Sequence, residues 1–300
     1  MNLTIAHSSS TSWQVISFPD IPNTTPPIEE EGLFFEHIEF AQDAFQNSDY
    51  PLLSNILDEL IKLPGEESCE QTKEFKSVFY PLFKSLLLLI QSPQEAIAFT
   101  SDKLKNSDAD ELKLLIPIRG FARILTGDRD QGSVDLSQFC TANHEIFTPT
   151  EKIMIRLIER KVGCQLLPYQ THPKDQPLTQ DDQIDEFLFN GDAKEALNLL
   201  NEDHLCTELL EKQIIALALD GQIEVSIDRT DSLFDLMEKN EEQLGTSAAL
   251  LALVQENYEL AIRLAKENFH IELIVIAHFL EKMSSSQSEA DKLCLLSLKV

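Results

Sequence analysis

The stretch Phe189-Asn190-Gly191-Asp192-Ala193-Lys194-Glu195-Ala196-Leu197-Asn198-Leu199 decides the fold. It reads as the end of one helix, a polar turn and the start of a second. Gly191 suits the left-handed backbone at which helices commonly stop. Ala196, small and one turn into the second helix, lets that helix approach the first closely. Val254-Gln255-Glu256-Asn257-Tyr258-Glu259-Leu260-Ala261-Ile262-Arg263-Leu264 matches it in chemistry, and so does Leu89-Ile90-Gln91-Ser92-Pro93-Gln94-Glu95-Ala96-Ile97-Ala98-Phe99. The matched alanines, Ala96, Ala196 and Ala261, are 100 and 65 residues apart, near three and two units of about 33 residues, a helix-pair period. Weaker copies start at Thr126-Gly127-Asp128 and Asp220-Gly221-Gln222, with Asn47-Ser48-Asp49-Tyr50 as a further one.

Outward from these turns the apolar period is helical. Phe34, Ile38, Ala41 and Phe45 share one face, with Glu29, Glu30 and Glu31 in the first turn, where the helix dipole favours acids. Leu53, Ile56, Leu57 and Leu60 form the next inward face, stopped by Pro64-Gly65. A third helix is expected over 69–91, kinked or broken at Pro81. Pro93 opens a fourth, and others follow at 109–125, 133–144 and 149–162. Thr148-Pro149-Thr150-Glu151 fits a capping box and Gly163 is placed to end that helix. Further helices are expected at 181–190, 192–202, 205–219, 229–240, 246–256, 258–268, 270–283 and 286–298. Ile223-Glu224-Val225-Ser226-Ile227-Asp228 alternates with period two but has no partner strand nearby, so it reads as a connector or an irregular helix start.

The expected class is all-α: stacked antiparallel helix pairs, in two parts. Residues 1–28, with Ser8-Ser9-Ser10-Thr11-Ser12, four prolines and Trp13, read as an N-terminal arm, mobile or docked. Residues 29–164 form the first helical part, 165–180 a proline-punctuated linker, and 181–300 the second helical part.

The turn and second helix resemble the tetratricopeptide repeat and its solenoid relatives, where a Gly is followed by an aromatic two residues on and an Ala three further. Those slots hold Gly191, Ala193 and Ala196 in one copy. They hold Glu256, Tyr258 and Ala261 in a second, and Gln91, Pro93 and Ala96 in a third. The family's small residue in the first helix falls on Ile184, Ala249 and Lys84, of which Ala249 fits. Its later small residue falls on Asp203, Asn268 and Lys103, where none fits. The resemblance implies a helical solenoid over 29–300 that binds protein; an irregular helical bundle is the alternative.

Composition narrows the role. Twenty-four basic and 51 acidic residues give a net charge of −27, which disfavours nucleic acid and anionic membrane surfaces as partners. Residues 1–167 carry 14 basic and 25 acidic residues, a net of −11; residues 168–300 carry 10 and 26, a net of −16. A protein partner with a basic segment would relieve that repulsion. The longest apolar run, Ala248–Val254, is far short of the roughly 20 residues a membrane span needs. No signal peptide or myristoyl site is expected at the N-terminus. Cys69, Cys140, Cys164, Cys206 and Cys294 are odd in number and widely spaced, which reads as buried reduced thiols in a cytoplasmic protein.

Chemistry-bearing patterns are thin. Gly127-Asp128-Arg129-Asp130-Gln131-Gly132 resembles a calcium loop, but an EF-hand register puts Phe139 and Ser133 where an acid and a glycine belong, so a helix-connecting turn is expected. His204-Leu205-Cys206 lacks a second ligand cluster. His270 and His278 lie in an apolar stretch and read as core or groove-lining. Asp181, Asp182, Asp185 and Glu186 read as first-turn acids, Glu66-Glu67 and Glu241-Glu242 as solvated surface, and Tyr258 as packing. No catalytic, cofactor-binding or metal-ligating set is expected. A non-enzymatic interaction scaffold or adaptor is the expected function, with a dedicated chaperone or assembly factor, or a helical enzyme with dispersed residues, as alternatives.

Overall fold

The computed structural model describes residues 37, 40–41, 43–45, 47–62, 76–77, 80–106, 115–145, 147–167, 178–200, 206–240, 246–267 and 273–285. The expected arm 1–28, the helix 286–298 and positions 168–177 of the expected linker lie outside these. The fold is all-α, with no strand among the described residues. The chain forms two compact units, one of residues 1–139 with 269–275, the other of 140–268 with 276–300.

In the first unit, helical residues 43–45 lead into α1 (Tyr50–Leu60), followed by α2 (Tyr80–Gln91), α3 (Pro93–Asn106), α4 (Leu115–Leu125) and the start of α5 (Arg129–Asn143). Asp49 caps α1 by accepting from the Leu52 amide, and Leu53, Ile56, Leu57 and Leu60 are buried as their spacing requires. Pro81 sits in the first turn of α2, where its missing N–H leaves no bond unmade. α2 packs on α1, α3 and α4, and α3 packs on α4, so successive pairs stack. The helix expected from 133 begins at Arg129, so Gly132 is a helical residue and the turn is confined to Thr126-Gly127-Asp128. Asp135 on α5, almost fully buried, accepts both ends of the Arg119 fork from α4 and a further bond from Arg123. On α2, Lys84 bonds Asp58 and Ser54 of α1. Tyr80 donates to Asp58, and burial foremost, then that carboxylate, pushes its phenol up to about 12.

The second unit contains α6 (Pro149–Val162), α7 (Gln180–Asn190), α8 (Ala193–Leu199), α9 (Thr207–Leu219), α10 (Ile223–Asn240), α11 (Thr246–Val254), α12 (Tyr258–Glu267) and most of α13 (residues 273–285). The capping box of α6 is complete: the Glu151 amide donates to Thr148 Oγ1 and the Thr148 amide to the Glu151 carboxylate. Gly163 ends the helix in the left-handed region. α7 carries a second box, Thr179 with Asp182. α7 packs on α8, α8 on α9, α9 on α10 and α11, and α11 on α12. The alternating stretch from Ile223 is the regular beginning of α10, not a connector.

One turn recurs across the chain. Ser48, Gly127, Gly191, Gly221 and Glu256 all have positive φ, between 59° and 95°. Each donates its amide three residues back, and the next residue donates five back, as in Gly191 to Leu188 and Asp192 to Phe187. This is the Schellman arrangement, in which the last carbonyls of a helix find partners. Five residues after each stand Leu53, Gly132, Ala196, Ser226 and Ala261, all buried. Seven residues before stand Ala41, Gly120, Ile184, Ile214 and Ala249, also buried. The Gln91-Ser92-Pro93 junction differs: it has no left-handed residue, and Pro93 starts α3 directly.

Cations of α6 meet three of these turns. Arg156 donates to the Phe189 carbonyl at the end of α7 and to Glu159. Arg160 donates to the Ala218 and Leu219 carbonyls at the end of α9. Lys161 pairs with Glu256 in the turn after α11, 2.9 Å away. Positive charge is favoured at helix C-termini, where carbonyl dipoles accumulate. Glu159, turned the other way, accepts from the Leu166 and Leu167 amides and so holds the chain that leaves Gly163.

Candidate interaction surface

In α10 the apolar pattern of the sequence and the burial disagree. A helix turns about 100° per residue, so residues two apart point to nearly opposite sides. The alternation Ile223-Glu224-Val225-Ser226-Ile227-Asp228 therefore cannot put its apolar members on one face. Ser226 takes the inner slot and is fully buried, with Leu233 and Met237 seven and eleven residues on. Val225 and Ile227 are left 46% and 49% exposed, and Phe234 is 48% exposed.

The inner face is held by hydrogen bonds rather than by packing alone. Ser226 Oγ donates to the Ile214 carbonyl of α9 at 3.1 Å and accepts from Gln255 Nε2 at 3.0 Å. Gln255 also donates to Thr230 Oγ1, 2.8 Å away, tying the end of α11 to α10. A buried hydroxyl with both roles met carries little desolvation penalty, so a serine substitutes for alanine in this slot. These bonds orient α10 and so fix which side chains face outward.

The outward row is Glu224, Ile227, Asp231, Phe234 and Glu238, every one exposed. Their spacing is three, four, three, four, the period of a helix–helix seam. Acidic and apolar side chains alternate along it. α10 as a whole carries five acids and two cations, Arg229 and Lys239.

Other residues that drew attention in the sequence resolve into local structure. His278 on α13 is half-buried. Burial first, then Lys266 and Lys282, pushes its imidazole down to about 4, so the ring is neutral near pH 7. Asp181 and Asp185 hold Lys212 of α9 at 2.7 and 2.9 Å, tying α7 to α9, while Asp182 serves the capping box. Burial works to lower Lys212, but the hydrogen bonds that it donates to these two aspartates, with their negative charge, outweigh it and hold the ammonium above its ordinary value. The Tyr258 hydroxyl lies 3.3 Å from Ser284 Oγ. Cys206 is exposed at the N-cap of α9, contrary to the expectation of buried thiols, because a cap residue lies outside the helix's packed face. Cys140 is buried, and burial pushes its thiol up to about 12, with the Glu159 charge adding to it. His204, His270, Cys69, Cys294, Glu66-Glu67 and Glu241-Glu242 lie outside the described residues. Among the described residues no group of three or more His, Cys, Asp or Glu is gathered as a metal site would need, and no helix is long and apolar enough to cross a membrane.

Neither the outward row of α10 nor the α6 grip was identified from sequence. The row could have been found by laying 223–240 on a helical period instead of a strand one. The grip had a trace in Arg156, Arg160 and Lys161, a cationic group in an acidic chain. The chain matches no protein-family model, no curated protein and no solved structure.

Proposed function

We propose that this protein is a non-enzymatic interaction scaffold or adaptor that binds a partner protein on its helix-pair frame. The observation that carries the reading is the outward row of α10, where Ile227 and Phe234 stand about half exposed among acids. Apolar side chains of this size gain about 1.5–3 kcal/mol each on going from full exposure to full burial, and a partner would supply about the remaining half. Charged side chains that bridge helices support the same reading. Asp135, Arg156 and Lys212 each join one helix to another, which is frame-building work. We read the recurring turn as a helix-pair repeat of the tetratricopeptide type, with partner binding in its groove and on its outer helices. A partner with a basic segment suits the charge of −27, and a cytoplasmic location suits a chain with an exposed cysteine.

Affinity purification of the full-length chain with chemical cross-linking and mass spectrometry tests this. The expected result is a partner recovered in stoichiometric amount, with an association rate that falls steeply as salt is raised, since screening at about 0.15 M confines charge attraction to about 8 Å. Recovery of no stoichiometric partner, with the chain alone turning over a small-molecule substrate, would overturn it.

A further inference from the structure

We propose that the outward row of α10 is a docking seam for a basic amphipathic helix, one that alternates Leu-like and Lys- or Arg-like residues at three- and four-residue spacing. The proposal rests on the scaffold reading and names the chemistry of the partner.

Glu224, Ile227, Asp231, Phe234 and Glu238 are exposed neighbours on one line of the helix surface. Residues three and four apart on a helix lie about 5–6 Å from one another, so the row is continuous and about 20 Å long. A partner helix laid along it meets apolar and negative positions in turn. Apolar residues opposite Ile227 and Phe234, with cations opposite Glu224, Asp231 and Glu238, satisfy every position. An all-apolar helix would desolvate the three carboxylates without pairing them. A purely polar basic helix would leave Ile227 and Phe234 with water. A second copy of the same row fits neither way round. Antiparallel pairing sets Glu224 against Glu238 and Asp231 against itself, and parallel pairing sets each acid against its own copy; like charges at such contacts oppose association. The orientation of the row is fixed from behind by Ser226 and Thr230, whose bonds to Ile214 and Gln255 leave α10 little freedom to roll. The surface is thus presented ready-made, which lowers the ordering cost of binding.

The experiment uses the full-length chain and fluorescence anisotropy with labelled 18-residue designed helices. One carries Leu and Lys alternating at the seam positions. In a second Ser replaces Leu, and in a third Glu replaces Lys. Saturable binding of the first helix is expected, at least about tenfold tighter than either control. Phe234→Ser and Ile227→Ser should each weaken it about tenfold, and Asp231→Lys by as much or more. All three positions are exposed, and thermal melting confirms that each variant folds. Glu95→Lys, a charge reversal at an exposed position of α3, should leave it within twofold. No binding to the wild-type chain, equal binding of the Leu and Ser helices, or equal loss with Glu95→Lys would overturn the proposal. If a stoichiometric cellular partner binds the Phe234→Ser chain as tightly as wild type, the docking seam is wrong while the scaffold reading stands.

Discussion

A Cβ placed on Gly132 would lie 2.7 Å from the carbonyl oxygen of Gly120. It would also meet Ile124 Cγ1 at 2.6 Å, closer than real side-chain carbons come. The two glycines are the residues five after and seven before the Gly127 turn, so α4 and α5 pass almost backbone to backbone. The same register recurs at the Gly221 turn, where Ser226 reaches the Ile214 carbonyl. A helical glycine is less favourable than alanine by roughly 1 kcal/mol, and the close crossing is what this one permits.

Gly132→Ala should therefore destabilise the protein despite its better helix propensity, by about 1–3 kcal/mol, the range for overpacking a tight core. Ala196→Leu and Ala261→Leu occupy the equivalent slot, fully buried in both cases, and should fall in the same range. Urea denaturation reads all three. A Gly132→Ala chain more stable than wild type would show that α4 and α5 can separate at no penalty.

Glu256 holds a left-handed backbone that three of the other turns assign to glycine. That conformation costs a residue with a Cβ about 1–2 kcal/mol. Glu256→Gly removes the strain and also the exposed pair with Lys161, worth about 0–1 kcal/mol. A net gain of up to about 1 kcal/mol is expected, seen as a higher Tm. Gly191→Ala should lose about 1 kcal/mol, because its φ is 80°. Opposite signs at the two positions are the expected outcome.

Arg156 is buried and Glu159 half-buried, and the guanidinium also serves the Phe189 and Leu167 carbonyls. Arg156→Met takes the cation from a half-buried carboxylate that keeps the Leu166 and Leu167 amides, and removes the donor to the Phe189 carbonyl, so it should cost about 1.5–3 kcal/mol. Arg160 is exposed and bonds carbonyls only at the end of α9, so Arg160→Met should cost less than about 1.5 kcal/mol. Equal losses, measured by urea denaturation, would mean that burial does not set the value of this contact.

His278 has a folded pKa of about 4 against an ordinary 6.5. A depressed imidazole stabilises the fold in its neutral form. That stability is fully present above pH 6.5 and is lost as pH falls towards 4, because only the unfolded chain takes up the proton in that window. The loss should be about 2–3 kcal/mol, developing before most carboxylates titrate. His278→Gln should flatten the fall in Tm between pH 6.5 and 4.5. A slope unchanged by that substitution would place the pH sensitivity in other groups.

Much of this protein is written locally in its sequence. Helix class, the capping box of Thr148 and Glu151, the stop at Gly163 and the turns at Gly191 and Glu256 depend on residues within five of one another. Side-chain size and backbone preference at such range do not need the rest of the fold. The buried alanines at 196 and 261 were legible for the same reason, since each stands five residues after the left-handed residue of its turn. What stacking decided was different. Arg160 meets Leu219 across 59 residues, and Asp181 meets Lys212 across 31. Gly132 lies inside a helix and packs against Gly120, where the local pattern of glycines and aspartates suggested a connecting turn. Ile223–Asp228 took a helical path because α9 and Gln255 offered partners to Ser226, and no strand offered any to its alternating apolar residues. That choice left Ile227 and Phe234 on the outside. A side chain's periodicity belongs to the chain; the face it shows to solvent belongs to whichever neighbours cover the opposite side.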